Sequence, residues 1–135
     1  MNSNEGVRGR DGLRIVRTAP RQADIIASTG VESEMLLQSQ RLFLKREIVA
    51  PLASGIRHLH TTSSIIIMLN GRVRVNYGFD FEHVEYAGPG DFILIPAMMP
   101  HQPVNESDSE PMICLVVRDS PIDDLVPYDT AQLAA

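Results

Sequence analysis

From Gln40 onward, apolar stretches of strand length follow one another at short intervals, separated by Gly, Pro, Asn and Asp. Successive side chains of an extended chain leave on opposite faces, so this pattern predicts antiparallel strands joined by tight turns. The clearest stretch is 72–77, with Val73, Val75 and Tyr77 on one side and Arg72, Arg74 and Asn76 on the other. Residues 65–69 are apolar at every position, which predicts a strand covered on both faces, either inside a sheet or at a subunit contact. Asn70-Gly71 between the two predicts a type I′ hairpin turn, in which both residues take positive φ. Further strands are predicted over 41–50, closed by Pro51, and over 57–60, 82–86, 91–95, 100–104 and 112–118. A chain of about eight such strands without a long helix is an all-β fold, either a sandwich or a closed barrel.

The upstream third is less regular. Leu13, Ile15 and Val16 predict a short strand, while 23–27 and 32–37 each read as a turn of helix. Residues 1–12, rich in Asn, Gly, Arg and Ser, read as a loose arm, 13–120 as one domain, and 121–135 as a tail packed on the barrel or on a neighbouring subunit. With 135 residues and no internal repeat, one core suffices.

Composition narrows the function classes. Apolar residues make up 44% of the chain and charged residues 21%, and no apolar run approaches the roughly 18 residues that span a bilayer. The polar opening stretch lacks the apolar core of a secretory signal, so the expectation is a cytoplasmic protein without a membrane partner. A net charge of −5 and a single lysine, Lys45, argue against nucleic acid as a partner, because phosphate contacts need clustered cations. Cys114 is the only cysteine, so an intramolecular disulfide and a Cys-rich zinc site are both ruled out. Any metal must rest on His, Asp or Glu.

His58 and His60 stand two apart, so on a strand both rings leave the same face roughly 6–7 Å apart. Imidazole suits zinc, iron, nickel and copper, and His101, just beyond the tight 96–100 turn, is the natural third ligand. A lone His-x-His pair also occurs as two exposed side chains near a strand end. His83 and Glu85 share a strand face and read as an exposed ionic pair, Cys114 as core filler, and Met68, Met98, Met99 and Met112 as apolar bulk, with Met98 and Met99 candidates for a pocket mouth.

The surrounding residues resemble the two-part signature of the cupin superfamily. Its first part matches His58-Leu59-His60, then 61–63, then Ser64 in the slot of the usual glutamate, then Gly71 after six more residues. Its second part matches Gly90, 91–95, Pro96-Ala97-Met98, 99–100, His101, 102–104 and Asn105, with Met98 in place of a glycine. The glycine that opens the first part falls at Leu52, with Gly55 nearby. The resemblance covers about 41–118 and implies a jelly-roll barrel, often a homodimer, holding one divalent ion (zinc, iron, nickel, manganese or copper) on His58, His60 and His101. Ser64 removes the carboxylate ligand, so three neutral imidazoles would leave the ion its full charge and favour an anionic or enolisable small organic molecule on the open positions. Ser64 and Thr62 are candidates to bond a metal-bound water, and Met98 and Asn105 are candidates near the pocket. Ile66, Met68, Val73, Val75 and Leu94 are expected to wall it. Two function classes follow: a metal-dependent enzyme, an oxygenase or a Lewis-acid isomerase or cyclase with no catalytic acid or base yet assigned, or a non-catalytic small-molecule-binding or sensing barrel.

Overall fold

The computed structural model describes residues 7–8, 10–16, 24–26 and 30–129. These form strands and turns with no helix, and the strands pair antiparallel throughout. In chain order they are β1 (Val7–Arg8), β2 (Ile15–Val16), β3 (Asp24–Ile26), β4 (Val31–Gln38), β5 (Phe43–Val49), β6 (His58–His60) and β7 (Ser64–Asn70). There follow β8 (Val73–Tyr77), β9 (His83–Ala87), β10 (Phe92–Ile95), β11 (His101–Val104), β12 (Met112–Arg118) and β13 (Leu125–Pro127). One sheet has the order β10-β7-β12-β5-β4-β3, the other β13-β6-β11-β8-β9, and β1 pairs with β2 alone. The chain is a cupin-type jelly-roll barrel, with Val49, Met68, Val73, Met112, Cys114 and Val116 of the facing sheets making one buried core.

Alternation decides what faces the barrel interior. On β12, Met112, Cys114, Val116 and Arg118 are buried, while Ile113, Leu115 and Val117 point outward. On β5 the inward set is Phe43, Lys45, Glu47 and Val49, registered against Arg118, Val116, Cys114 and Met112. Two charged side chains thus enter the barrel on one strand.

The structure corrects several expectations. Helical turns over 23–27 and 32–37 are replaced by strands: Asp24–Ile26 pairs with Val31–Ser33, and Val31–Gln38 pairs with β5. An irregularity between Met35 and Leu37 shifts the register against β5, so the period of two is not kept along the whole of β4, where Leu36 is buried and Met35 is 40% exposed. Val7–Arg8, within the stretch read as a loose arm, pairs with Ile15–Val16. The hairpin between β7 and β8 is not type I′: Gly71 alone takes positive φ (72°), and Asn70 stays in β7 with its amide donating to the Pro111 carbonyl at 2.9 Å. Gly71 tolerates no side chain, because a Cβ there would collide with the Pro111 carbonyl. Strand β7 lies inside its sheet, between β10 and β12, yet Ile65 and Leu69 on its outer face are 46% and 49% exposed in the single chain.

Candidate metal centre

His58 and His60 sit at the two ends of β6, and β11 runs beside it with His101 directly opposite His58 in the register. The turn before β11 is pinned to β6 by the Met98 amide, which donates to the His60 carbonyl at 2.7 Å. This bond aligns the strand bearing the third imidazole. All three rings are buried, and their centroids lie 4.9 Å (His58 to His60), 4.3 Å (His58 to His101) and 5.7 Å (His60 to His101) apart. One ring nitrogen from each falls within 4.8 Å of the other two.

The other ring nitrogens are tied down. Nδ1 of His58 meets the Ile56 carbonyl at 2.7 Å, and Nδ1 of His101 the Met99 carbonyl at 2.8 Å. A carbonyl only accepts, so each Nδ1 carries the proton and each Nε2 keeps its lone pair. Nδ1 of His60 faces Asp124 Oδ1 at 3.2 Å, and its Nε2 is buried without a hydrogen-bond partner among the described residues. A buried imidazole with one nitrogen locked by a carboxylate and the other left bare is the arrangement of a metal-ligating histidine and its orienting partner. Burial lowers each of the three histidines to about 4, so all are neutral, as ligands must be, at pH 7. The residues therefore fit a divalent ion held on three Nε2 atoms.

The rings open into a cavity of about 190 Å³. Ile66, Met68, Val73 and Val75 wall it as expected. Leu94 does not: β10 alternates so that Ile93 and Ile95 face in while Leu94 is 68% exposed. Ser64 lines the cavity and accepts a hydrogen bond from Arg118 Nη1. Thr62 is half-buried outside the cavity lining, and its hydroxyl has no hydrogen-bond partner among the described residues. Met98 is half exposed and outside the lining, with φ at 67°, the left-handed conformation that explains the glycine of the signature at this place. Asn105 also lies outside the lining: its amide donates to the Val49 and Glu110 carbonyls at 3.0 and 2.8 Å, and its carbonyl accepts the Ser107 N–H, so it ties loops together. Cys114 is buried core that touches the cavity, with its thiol pushed far up by burial. His83 pairs with Glu82 at 3.2 Å rather than with Glu85.

Sequence reasoning missed a charged group inside the barrel. Lys45 Nζ lies 3.1 Å from Glu47 and 2.7 Å from Asp123, and Arg118 Nε lies 3.1 Å from the other Asp123 oxygen. Lys45, Glu47, Arg118 and Asp123 all line the same cavity as the histidines. Burial works to lower Lys45, but Glu47 and Asp123 outweigh it and raise it above the usual lysine range. Burial likewise works to raise Asp123, and Lys45 and Arg118 overcome it and hold the carboxyl low. The signal was present in strand parity: Lys45 and Glu47 share a face with Phe43 and Val49, and Arg118 shares one with Met112 and Cys114. Asp123 and Asp124 come from the segment that leads into β13, whose pairing with β6 holds them beside His60.

Comparison with known proteins agrees with this architecture. Residues 45–118 match the model of the cupin domain family. Among solved structures, the polyketide cyclase RemF from Streptomyces resistomycificus aligns at a TM-score of 0.71 and 22% identity, over 90% of this chain and 92% of that one. An RmlC-like cupin from Shewanella frigidimarina aligns at 0.70 and 18% identity, over 88% and 96%. An oxalate decarboxylase from Lactobacillus farciminis, in complex with formate, aligns at 0.69 and 17% identity, over 84% of this chain and 35% of that one. No curated protein matches the sequence significantly. With the family model spanning more than half of its length, and the barrel and its histidines arranged as described, the chain belongs to the cupin family.

Proposed function

We propose that this cupin is a metal-dependent enzyme acting on a small anionic or enolisable organic molecule, by oxygenation or by Lewis-acid isomerisation or cyclisation. The observation that carries the reading is the convergence of three buried imidazoles with Nδ1 of His58 and His101 locked by carbonyls and that of His60 by Asp124, leaving Nε2 to face a shared cavity. Three neutral imidazoles would hold a divalent ion without reducing its charge, and the chemistry such an ion would supply is Lewis-acid polarisation of a bound molecule. The chain's own groups supply the rest. Ile66, Met68, Val73 and Val75 exclude bulk water, which strengthens every charge in the cavity. Glu47 and Asp123, both paired with Lys45 at 3.1 and 2.7 Å, are the carboxylates that line the cavity beside the histidines. RemF is named as a cyclase and the Lactobacillus protein as a decarboxylase, but at such identities the likeness concerns the fold and does not choose the reaction.

The test is metal analysis of protein purified without added ions, beside a His101→Ala variant. The expected result is close to one divalent ion per chain in the parent and a large loss in the variant; equal content in both overturns the reading. The loss of the glutamate ligand to Ser64 favours a second reading, a non-catalytic binding or sensing barrel. A thermal-shift screen of small carboxylates and diketones with and without chelator separates the two, because stabilisation that survives the chelator supports the second.

A further inference from the structure

The place of the missing carboxylate is filled in a particular way. Ser64 on β7 stands directly opposite Arg118 on β12 in the sheet register, and both are buried, at 2% and 3% exposure. Arg118 Nη1 donates to the Ser64 hydroxyl, and both side chains line the cavity of the three histidines. Where a glutamate would bring a negative charge to the ion, this chain brings a neutral hydroxyl backed by a guanidinium.

That guanidinium is not fully occupied. Arginine offers five N–H donors in a planar fork that matches the two oxygens of a carboxylate. Nη1 serves Ser64, and Nε, although 3.1 Å from Asp123 Oδ1, is buried and makes no aligned hydrogen bond. Asp123 is a shared partner, since Oδ2 is taken by Lys45 at 2.7 Å, and its side chain is 30% exposed on the segment before β13.

We propose that Ser64 and Arg118 form an anion subsite of the cavity, which takes the carboxylate of a small substrate in place of the glutamate that the chain lacks. One side of such a ligand would face the histidines and the other the guanidinium fork. The cavity that both groups share with the histidines, about 190 Å³, is where such a ligand would sit. Asp123 then acts as a competitor that occupies the guanidinium until the ligand arrives. The proposal rests on the reading of the three histidines as a metal centre.

The experiment uses full-length protein loaded with cobalt(II), whose content and visible spectrum report the centre independently of activity. Oxalate, a compact dicarboxylate, and imidazole, a neutral metal ligand, are titrated calorimetrically into the parent, Arg118→Gln, Ser64→Glu and Asp123→Asn. Arg118→Gln is expected to keep its cobalt and its imidazole affinity within about twofold, while oxalate affinity falls at least tenfold. Ser64→Glu is expected to hold cobalt more tightly and oxalate at least tenfold more weakly. Asp123→Asn, which removes a carboxylate competing for Arg118, is expected to bind oxalate several-fold more tightly when loaded with cobalt, and Ser64→Glu, which leaves the Asp123 ion pairs in place, keeps the proposal falsifiable should the other two variants fail to fold. Equal oxalate affinity in the parent and in cobalt-loaded Arg118→Gln or Ser64→Glu, or unchanged or weaker binding in cobalt-loaded Asp123→Asn, overturns the subsite and leaves the metal reading standing. A parent that takes up no cobalt overturns the metal reading and the subsite with it.

Discussion

At the residue scale, Asp124 has the largest consequence for its size. It accepts from the Thr61 amide at 2.9 Å and from the Thr61 hydroxyl, and it orients Nδ1 of His60. Burial works to raise its carboxyl, and these bonds together with His60 hold it low, so it stays an anion across the working range. Removing such a partner loosens the ring and costs metal affinity about 10- to 100-fold; Asp124→Asn is expected to fall in that window, measured by competition with a chromophoric chelator. The two glycine positions of the signature make a separate point. Leu52 and Met98 both take left-handed backbone, at φ 62° and 67°, and both side chains are mostly in solvent. Such strain costs about 1–3 kcal/mol, and glycine returns part of the gain through the entropy of the unfolded chain. Leu52→Gly and Met98→Gly are each expected to stabilise by about 1 kcal/mol, a rise in Tm of roughly 4 °C. The histidines set the pH response of the metal-free protein. Their folded values near 4 lie below the ordinary value of 6.5, so the unfolded chain takes protons first. Stability is full above pH 6.5 and drains away as pH falls toward 4. Chemical denaturation in chelator between pH 7 and 4 reads this loss, and a flat profile contradicts it.

At the element scale, β13 and the segment before it are part of the site rather than an appendage. Leu125, Val126 and Pro127 pair with the three residues of β6, and Asp123 together with Glu47 neutralises the buried Lys45 and Arg118. Breaking a buried ion pair by removing one partner typically costs about 3–5 kcal/mol. A chain ending at Ser120 is therefore expected to melt at a much lower temperature and to lose at least as much metal affinity as Asp124→Asn; an unchanged melt contradicts this placement. The strands from β5 to β12 were legible in the sequence because each alternates or is closed by Gly or Pro, and the histidine set was legible because its ligands fall at two spaced motifs. Strand β4 was not, since Met35, Leu36 and Leu37 run together where the irregularity breaks alternation. The pairing of the inner charges was hidden for another reason. Strand parity alone puts Lys45, Glu47 and Arg118 on the inward faces of β5 and β12, but only the folded chain shows that Asp123, 78 residues beyond Lys45, supplies a counter-charge. Long-range pairing of this kind leaves no local mark.

At the scale of the whole molecule, the two sheets differ on their outer faces. The sheet containing β8 and β11 presents Arg74, Asn76 and Gln102, bonded in series at 3.0 and 3.3 Å. The opposite sheet presents Ile65, Ile67 and Leu69 on β7, Phe92 and Leu94 on β10, and Ile113, Leu115 and Val117 on β12, with no charge among them. Phe92 and Leu94 are 71% and 68% exposed in the single chain. Exposed apolar patches beyond a few hundred Å² are rare on monomers and mark contact surfaces. The homodimer that the family resemblance implies is expected to use this face. A two-fold axis sets the patch against itself, and Arg46, opposite Leu115 on the neighbouring strand, is neutralised by Glu34 at 2.7 Å, while homodimer interfaces are the apolar class of protein contacts. Sedimentation velocity at micromolar concentration is expected to give twice the 14.9 kDa of one chain. Phe92→Asp with Leu94→Asp adds four carboxylates across the axis of the pair and leaves the inward residues Ile93 and Ile95 untouched, so the variant should sediment as a monomer that still binds metal. A parent that is monomeric at that concentration, or a double variant that remains dimeric, shows that this face is not where two copies meet.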